Sequence, residues 1–188
     1  ISILKGPCLE KELAKKKRTS VIIANKNLNK AKLIGKIIST NYYLAEYSKD
    51  IIGVEVCSAI KNIYAMIVGA GQSLNESSNL FQKSIDEMNY LTKYFNGKEE
   101  TTLGLAGVGD LYVSAAGGRN SKMGSFLGKG YKFDLAKKKF MPKDTVEGEQ
   151  LAREIAPFIL KKIIRKKIPL MVNLIKTIIS NKKLKLLI

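Results

Sequence analysis

The chain has 188 residues, 45% of them hydrophobic, enough for one ordinary core or one core with a small appendage. Histidine is absent and only two cysteines, Cys8 and Cys57, occur, far apart; this excludes Ser-His-Asp and Cys-His catalysis, His-based metal sites, a disulfide framework and a zinc ribbon. Lys and Arg outnumber Asp and Glu by 33 to 16, a formal charge of +17, but the runs at 15–18, 137–139 and 161–167 are scattered over several predicted helices and read as a solvated basic surface rather than a nucleic-acid interface.

In chain order, Ile1 carries no basic or cleavable leader, so the sequence reads as the later part of a longer polypeptide. "GPCLEKELAKKK" predicts a short helix, with Pro7 at a plausible first position, Glu early and Lys late. "TSVIIA" (19–24) and "YYLAEY" (42–47) are strand-like, and "NLNKAKLIGKIIS" between them has apolar residues at 28, 31, 33, 34, 37 and 38, close to the helical period. Residues 1–49 therefore resemble the closing portion of an α/β sheet. Beyond residue 50 strand signals fade. Helices are predicted at about 51–71, 77–96, 101–116, 119–129, 144–166 and 170–180, with Asp144 or Thr145 as a cap and a kink or break at Pro157. No run of about eighteen uncharged apolar residues is present, so no membrane span is expected, and the unpaired cysteines suit a reducing, cytoplasmic setting.

Two segments set polar groups among apolar or glycine-rich neighbours. On the helix from 51, Glu55, Ser58 or Ala59, and Asn62 share a stripe, with Lys61 in line with Ser58. This is either a polar stripe facing water or a lysine held where water is scarce; a desolvated ammonium gives up its proton readily, so such a lysine can act as a base near neutral pH. "GLAGVGDLYVSAAGGRN" (104–120) holds five glycines and two charges, Asp110 and Arg119. A dinucleotide fingerprint would need glycine where Tyr112 stands and a preceding strand, so that reading fails. The alternatives are a glycine-rich turn with a surface arginine, or a close approach of ligand and backbone with Arg119 as a forked phosphate donor.

Together, "KGPCLEKELAKKKRTSVIIA", "IGVEVCSAIKNIYA", "GLAGVGDLYVSAAGGRN" and "TVEGEQLA" resemble, in order and spacing, the motifs of NAD(P)-dependent sn-glycerol-3-phosphate dehydrogenases. The resemblance implies a mainly α fold: a helical substrate-binding domain at 50–188, like the C-terminal domain of 6-phosphogluconate dehydrogenase, preceded at 1–49 by the last α/β elements of a Rossmann-type domain. The glycine fingerprint of that domain is not in this sequence. It further implies NAD or NADP as cofactor, hydride exchange between glycerol 3-phosphate and dihydroxyacetone phosphate in the supply of glycerophospholipid precursors, a homodimer, and no metal.

Residue by residue, the resemblance makes Lys61 the general base, with Asn62 and Asp110 orienting it and the substrate hydroxyl. Ser114 stands where relatives use Thr. Arg119 and Asn120 would hold the substrate phosphate, Arg119 also lying near the cofactor. Thr145 and Glu147 would contact the dinucleotide, as would Glu10, which replaces a common Ala. Gly6 and Cys8 would line the substrate side, Cys8 where Ser or Thr is usual, and Gly118 replaces the Ser of many bacterial members. The rival readings are a dehydrogenase of the same two-domain architecture acting on another hydroxy acid or sugar acid, and a non-catalytic basic helical module that binds anions or nucleic acid.

Overall fold

The β-branched run Thr19–Ala24 forms the central strand, β2, of a three-stranded sheet, with Val21 and Ile23 buried on one face. The computed structural model describes residues 1–186. They form two compact units, Ile1–Ala59 with Leu91–Val113, and Ile60–Tyr90 with the described residues from Ser114 onward.

In the first unit, β1 (Ile3–Lys5) runs antiparallel to β2, with Ile3 opposite Ala24; at three residues it is too short to announce itself in the sequence. β3 (Tyr43–Ser48) runs parallel to β2, Thr19 opposite Tyr43. A parallel pair needs a crossover, and α2 (Leu28–Ile38) supplies it, opened by Asn27, whose side chain accepts the Asn29 N–H at 3.0 Å. The helix expected after Pro7 is confined to α1 (Glu10–Ala14).

Asp50 follows β3 and starts α3 (Ile51–Gly69): Oδ1 accepts the Gly53 N–H at 2.9 Å. Its Oδ2 accepts the Lys98 N–H at 2.8 Å and the Thr101 hydroxyl at 2.6 Å, so one carboxylate also ties down α5 (Glu99–Leu103). The single helix expected over 101–116 is three pieces: the end of α5, a π-helical turn at Leu105–Gly109, and α6 (Asp110–Gly117). The glycines explain the interruption. A Cβ on Gly107 would run into the Thr102 carbonyl, and only a bare backbone fits the widened turn.

The second unit takes the second half of α3, where Ile63 to Ile67 are at most 1% exposed, and most of α4 (Leu74–Tyr94). α7 (Arg119–Gly128) lies against α3 so closely that a Cβ at Gly124 or Gly128 would collide with the carbonyls of Met66 and Ala70. A short helix, α8 (Phe133–Phe140), was not anticipated; it is held by an aromatic cluster in which Phe126 and Phe140 stack at 4.4 Å and Tyr131 meets Phe140 edge-on.

α9 spans Glu147–Lys162 and continues through Pro157. Its N-cap is Val146, which offers no side-chain acceptor, so neither Asp144 nor Thr145 plays the expected capping part. α10 (Pro169–Ser180) has Pro169 in its first turn, and the next amides, of Leu170 and Met171, donate to the buried Glu87 carboxylate at 2.6 and 3.0 Å. Glu87 also accepts the Tyr64 hydroxyl at 3.1 Å, linking α3, α4 and α10. By length and mean hydropathy α3 is apolar enough to cross a membrane, but it carries Glu55 and Lys61 and 56% of its most apolar window is buried inside the protein, as in a core helix.

Candidate active site

The polar stripe on α3 divides once the helix is placed. Glu55 is exposed, Ser58 is buried, and Lys61 and Asn62 are half-buried, immediately ahead of the fully buried run from Ile63. In the second unit the close α3–α7 contact brings Asn62 within reach of Asn120, 58 positions later, whose Nδ2 donates to Asn62 Oδ1 at 3.2 Å and to Glu147 Oε2 at 3.1 Å. The other side of the Asn120 amide is used as well: Oδ1 accepts the Gly148 N–H at 2.8 Å. This is the cap that α9 lacks locally, supplied from α7. Gly148 must be glycine for the arrangement, since a Cβ there would sit 2.7 Å from the Asn62 carbonyl and 2.9 Å from Asn120 Oδ1.

Arg119 opens α7 and pairs with Glu147 through Nη2 and Oε1. Burial pushes the Glu147 carboxyl up, but the Arg119 hydrogen bond and charge, its own amide and Asn120 outweigh it, and the group titrates below the usual carboxylate range. The pair is open to solvent, with 56% of the Arg119 side chain and 37% of the Glu147 side chain exposed. Arg119 and Asn120 occupy the first turn of a ten-residue helix, where backbone N–H groups and the helix dipole favour an anion. Gly118, the α7 N-cap, donates its N–H to the Ser114 carbonyl at 3.1 Å, and Ser114 itself is half-buried. Thr145 is exposed ahead of α9.

The first unit gathers the remaining sequence-predicted residues. Gly6, at φ +126°, turns the chain after β1 against the backbone of β2. Pro7 lies in ordinary contact range of the Gly109 position, so the segment carrying Cys8 and Glu10 meets the π-helical turn from which Asp110 begins α6. Asp110 is 4% exposed. Cys8 is largely exposed, yet its thiol is pushed up, first by partial burial and then by the negative charges of Asp110 and Glu10. The structure thus brings together Asn62, Arg119, Asn120 and Glu147 next to Lys61 in one unit, and Gly6, Cys8, Glu10 and Asp110 in the other.

Sequence reasoning missed Gly148, Glu87 and Asp50. For Gly148 a signal existed, a glycine inside the first turn of a helix, where it costs stability unless something needs the space. Among the described residues no group of three or more His, Cys, Asp or Glu could hold a metal ion.

A family model described as NAD-dependent glycerol-3-phosphate dehydrogenase C-terminus matches residues 50–188. The chain belongs to that family. The NADP(+)-dependent glycerol-3-phosphate dehydrogenase of Archaeoglobus fulgidus is 34% identical over 140 residues, 70% of this chain and 42% of the relative. A glycerol-3-phosphate dehydrogenase (NAD(P)+) of Campylobacter lari is 37% identical over 138 residues, 69% of this chain and 45% of the relative. The crystal structure of glycerol-3-phosphate dehydrogenase from Coxiella burnetii superposes with a TM-score of 0.87 at 27% identity, over 97% of this chain and 57% of that one. The chain spans less than half the length of these two curated relatives.

Proposed function

We propose that this chain is the substrate-binding portion of an NAD(P)-dependent sn-glycerol-3-phosphate dehydrogenase, with residues 50–188 as its helical domain and residues 1–49 as the end of its dinucleotide-binding domain. The observation that carries the reading is the hydrogen-bonded set Asn62–Asn120–Glu147–Arg119 beside Lys61, in a chain of this family.

In this reading the Lys61 amine takes the C2 hydroxyl proton of glycerol 3-phosphate, with Asn62 and Asp110 orienting the groups that exchange it. Arg119 and Asn120, at the start of α7, bind the substrate phosphate, and binding energy spent there positions C2 for reaction. Ser114, Gly118, Gly6 and Cys8 line the substrate side. The donor set fits a dinucleotide as well: a half-exposed guanidinium suits an anionic or carboxamide oxygen, and the partly exposed Glu147 carboxylate suits a hydroxyl. Arg119, Glu147, Thr145 and Glu10 would hold it from this side, NAD and NADP both being compatible. Bound there, the cofactor would supply the hydride acceptor for C2. A homodimer in the cytoplasm completes the proposal, supported by the resemblance and by free thiols at Cys8 and Cys57 that suit a reducing compartment.

The test is substrate profiling of the complete enzyme. Glycerol 3-phosphate turns over and unphosphorylated glycerol does not, and Arg119→Gln lowers kcat/KM for glycerol 3-phosphate by about a hundredfold. Equal activity on glycerol, or on a hydroxy acid without a phosphate, refutes the assignment.

A further inference from the structure

The positive charge of the second unit is concentrated at its C-terminal end. After Glu154 the sequence contains nine Lys or Arg residues and no Asp or Glu. Five of the nine fall within Lys161–Lys167, and all five are exposed. The structure folds this segment into a compact basic turn: α9 ends at Lys162, and a short 3-10 turn spans Arg165–Lys167 directly before α10. Arg165 Nε and Nη2 both donate to the Leu160 carbonyl, at 3.2 and 2.8 Å, which closes the end of α9 and fixes the turn.

Two observations give this patch more definition than a run of solvated lysines has. The tail after α10 doubles back, because Asn181 adopts the left-handed conformation and the Asn173 side-chain amide bonds the Lys185 carbonyl. Asn173 is four residues into α10 from Pro169, roughly 6 Å along its axis, so Lys182, Lys183 and Lys185 return toward the end of the helix that carries the basic turn. Apolar groups are also exposed among and beside the cations: Ile164, in the middle of the five, is 61% exposed, and Phe158, on α9 four residues before its end at Lys162, is 37% exposed.

We infer that the surface formed by Lys161–Lys167 and the returning tail is a docking site for an anionic lipid bilayer. A segment with nine cations and no acidic residue of its own is attracted by an anionic leaflet, and an exposed Ile among the cations gains by entering the acyl boundary. A nucleic-acid groove would instead set several aromatic platforms along a strand, whereas the residue exposed between these cations is the aliphatic Ile164 and the lone aromatic, Phe158, stands before them on α9. The inference is independent of the chemistry at Lys61. It concerns peripheral attachment, not a span.

The experiment uses the full chain with vesicles of phosphatidylglycerol in phosphatidylcholine and with vesicles of phosphatidylcholine alone, read by flotation across a salt series. Binding to the anionic vesicles that weakens with salt is the expected result. The combined variant Lys161→Gln, Lys162→Gln, Lys166→Gln and Lys167→Gln reduces it by about a hundredfold, and Ile164→Ser by about tenfold. Arg165 is left in place because it closes α9, and an unchanged melting temperature verifies that the variants are folded. Removing the same number of charges at Lys15, Lys16, Lys17 and Arg18 in the first unit leaves binding nearly intact. Absence of binding, equal binding to both vesicle types, or an equal loss from the first-unit variant overturns the inference. So does tighter binding to duplex RNA that Ile164→Ser does not alter.

Discussion

Two carboxylates of the second unit have similar partners and opposite characters. Glu87 is 4% exposed and accepts three hydrogen bonds, from Tyr64, Leu170 and Met171; burial dominates, and its acid is pushed up to about 7. Glu147 is bonded by Arg119 and Asn120, keeps more than a third of its side chain in contact with solvent, and titrates below the usual range. The decisive difference is the cation. Without one, even three good donors do not offset the loss of water around a buried charge, and the group serves to tie helices together. With one, at an open helix terminus, the carboxylate stays ionised and in contact with solvent. In this unit one polar network is thus closed on all sides and the other is open to solvent on one.

The contrast is broken most severely at the site. In the complete enzyme, Lys61→Ala lowers turnover by about a thousandfold with the melting temperature unchanged, and Lys61→Arg does little better because guanidinium does not accept a proton at working pH. Near-normal turnover in either variant removes Lys61 from the chemistry. Glu87→Ala has the opposite profile. It strands two buried amides and a tyrosine hydroxyl and costs about 3 kcal/mol in urea unfolding, whereas Glu147→Ala, at a solvent-open position, costs less than about 1 kcal/mol.

The pH dependence of stability sharpens the comparison. Below pH 4.5 Glu87 is protonated in both folded and unfolded chains. Between there and about pH 7 the unfolded chain releases the proton while the folded chain keeps it, so stability falls as pH rises, by about 3 kcal/mol, and levels off above. Unfolding free energies of Glu87→Gln measured over that window should lack this slope; an unchanged slope assigns it to another group. The smallest effect is that of Tyr64→Phe, which removes one neutral donor to Glu87 and costs about 1 kcal/mol.

Legibility in the sequence followed the range of the interactions. The β-branched run Thr19–Ala24 and the period of Leu28–Ile38 are local and gave β2 and α2 directly. β1 has three residues and exists only because β2 pairs with it, and α8 depends on Phe126 and Tyr131 packing onto Phe140. The cap of α9 is a side chain 28 positions earlier, which no pattern around Asp144 and Thr145 encodes. At the site, Lys61, Asn62, Arg119, Asn120 and Glu147 were named from motifs. Their meeting within one unit depends on α7 approaching α3 through Gly124 and Gly128, a packing fact. Glu87 looked like any other acid on the polar-rich helix α4, because nothing nearby in the chain marks the amides of α10 as its partners.

The central claim is that the Lys61 amine faces a carbinol carbon whose phosphate is held at the start of α7. A crystal structure of the complete enzyme with dihydroxyacetone phosphate tests it most directly. The account predicts Lys61 Nζ within hydrogen-bond reach, about 3 Å, of the C2 oxygen and the phosphate on Arg119 and Asn120. A ligand bound away from α7, with Lys61 turned to bulk water, would contradict it.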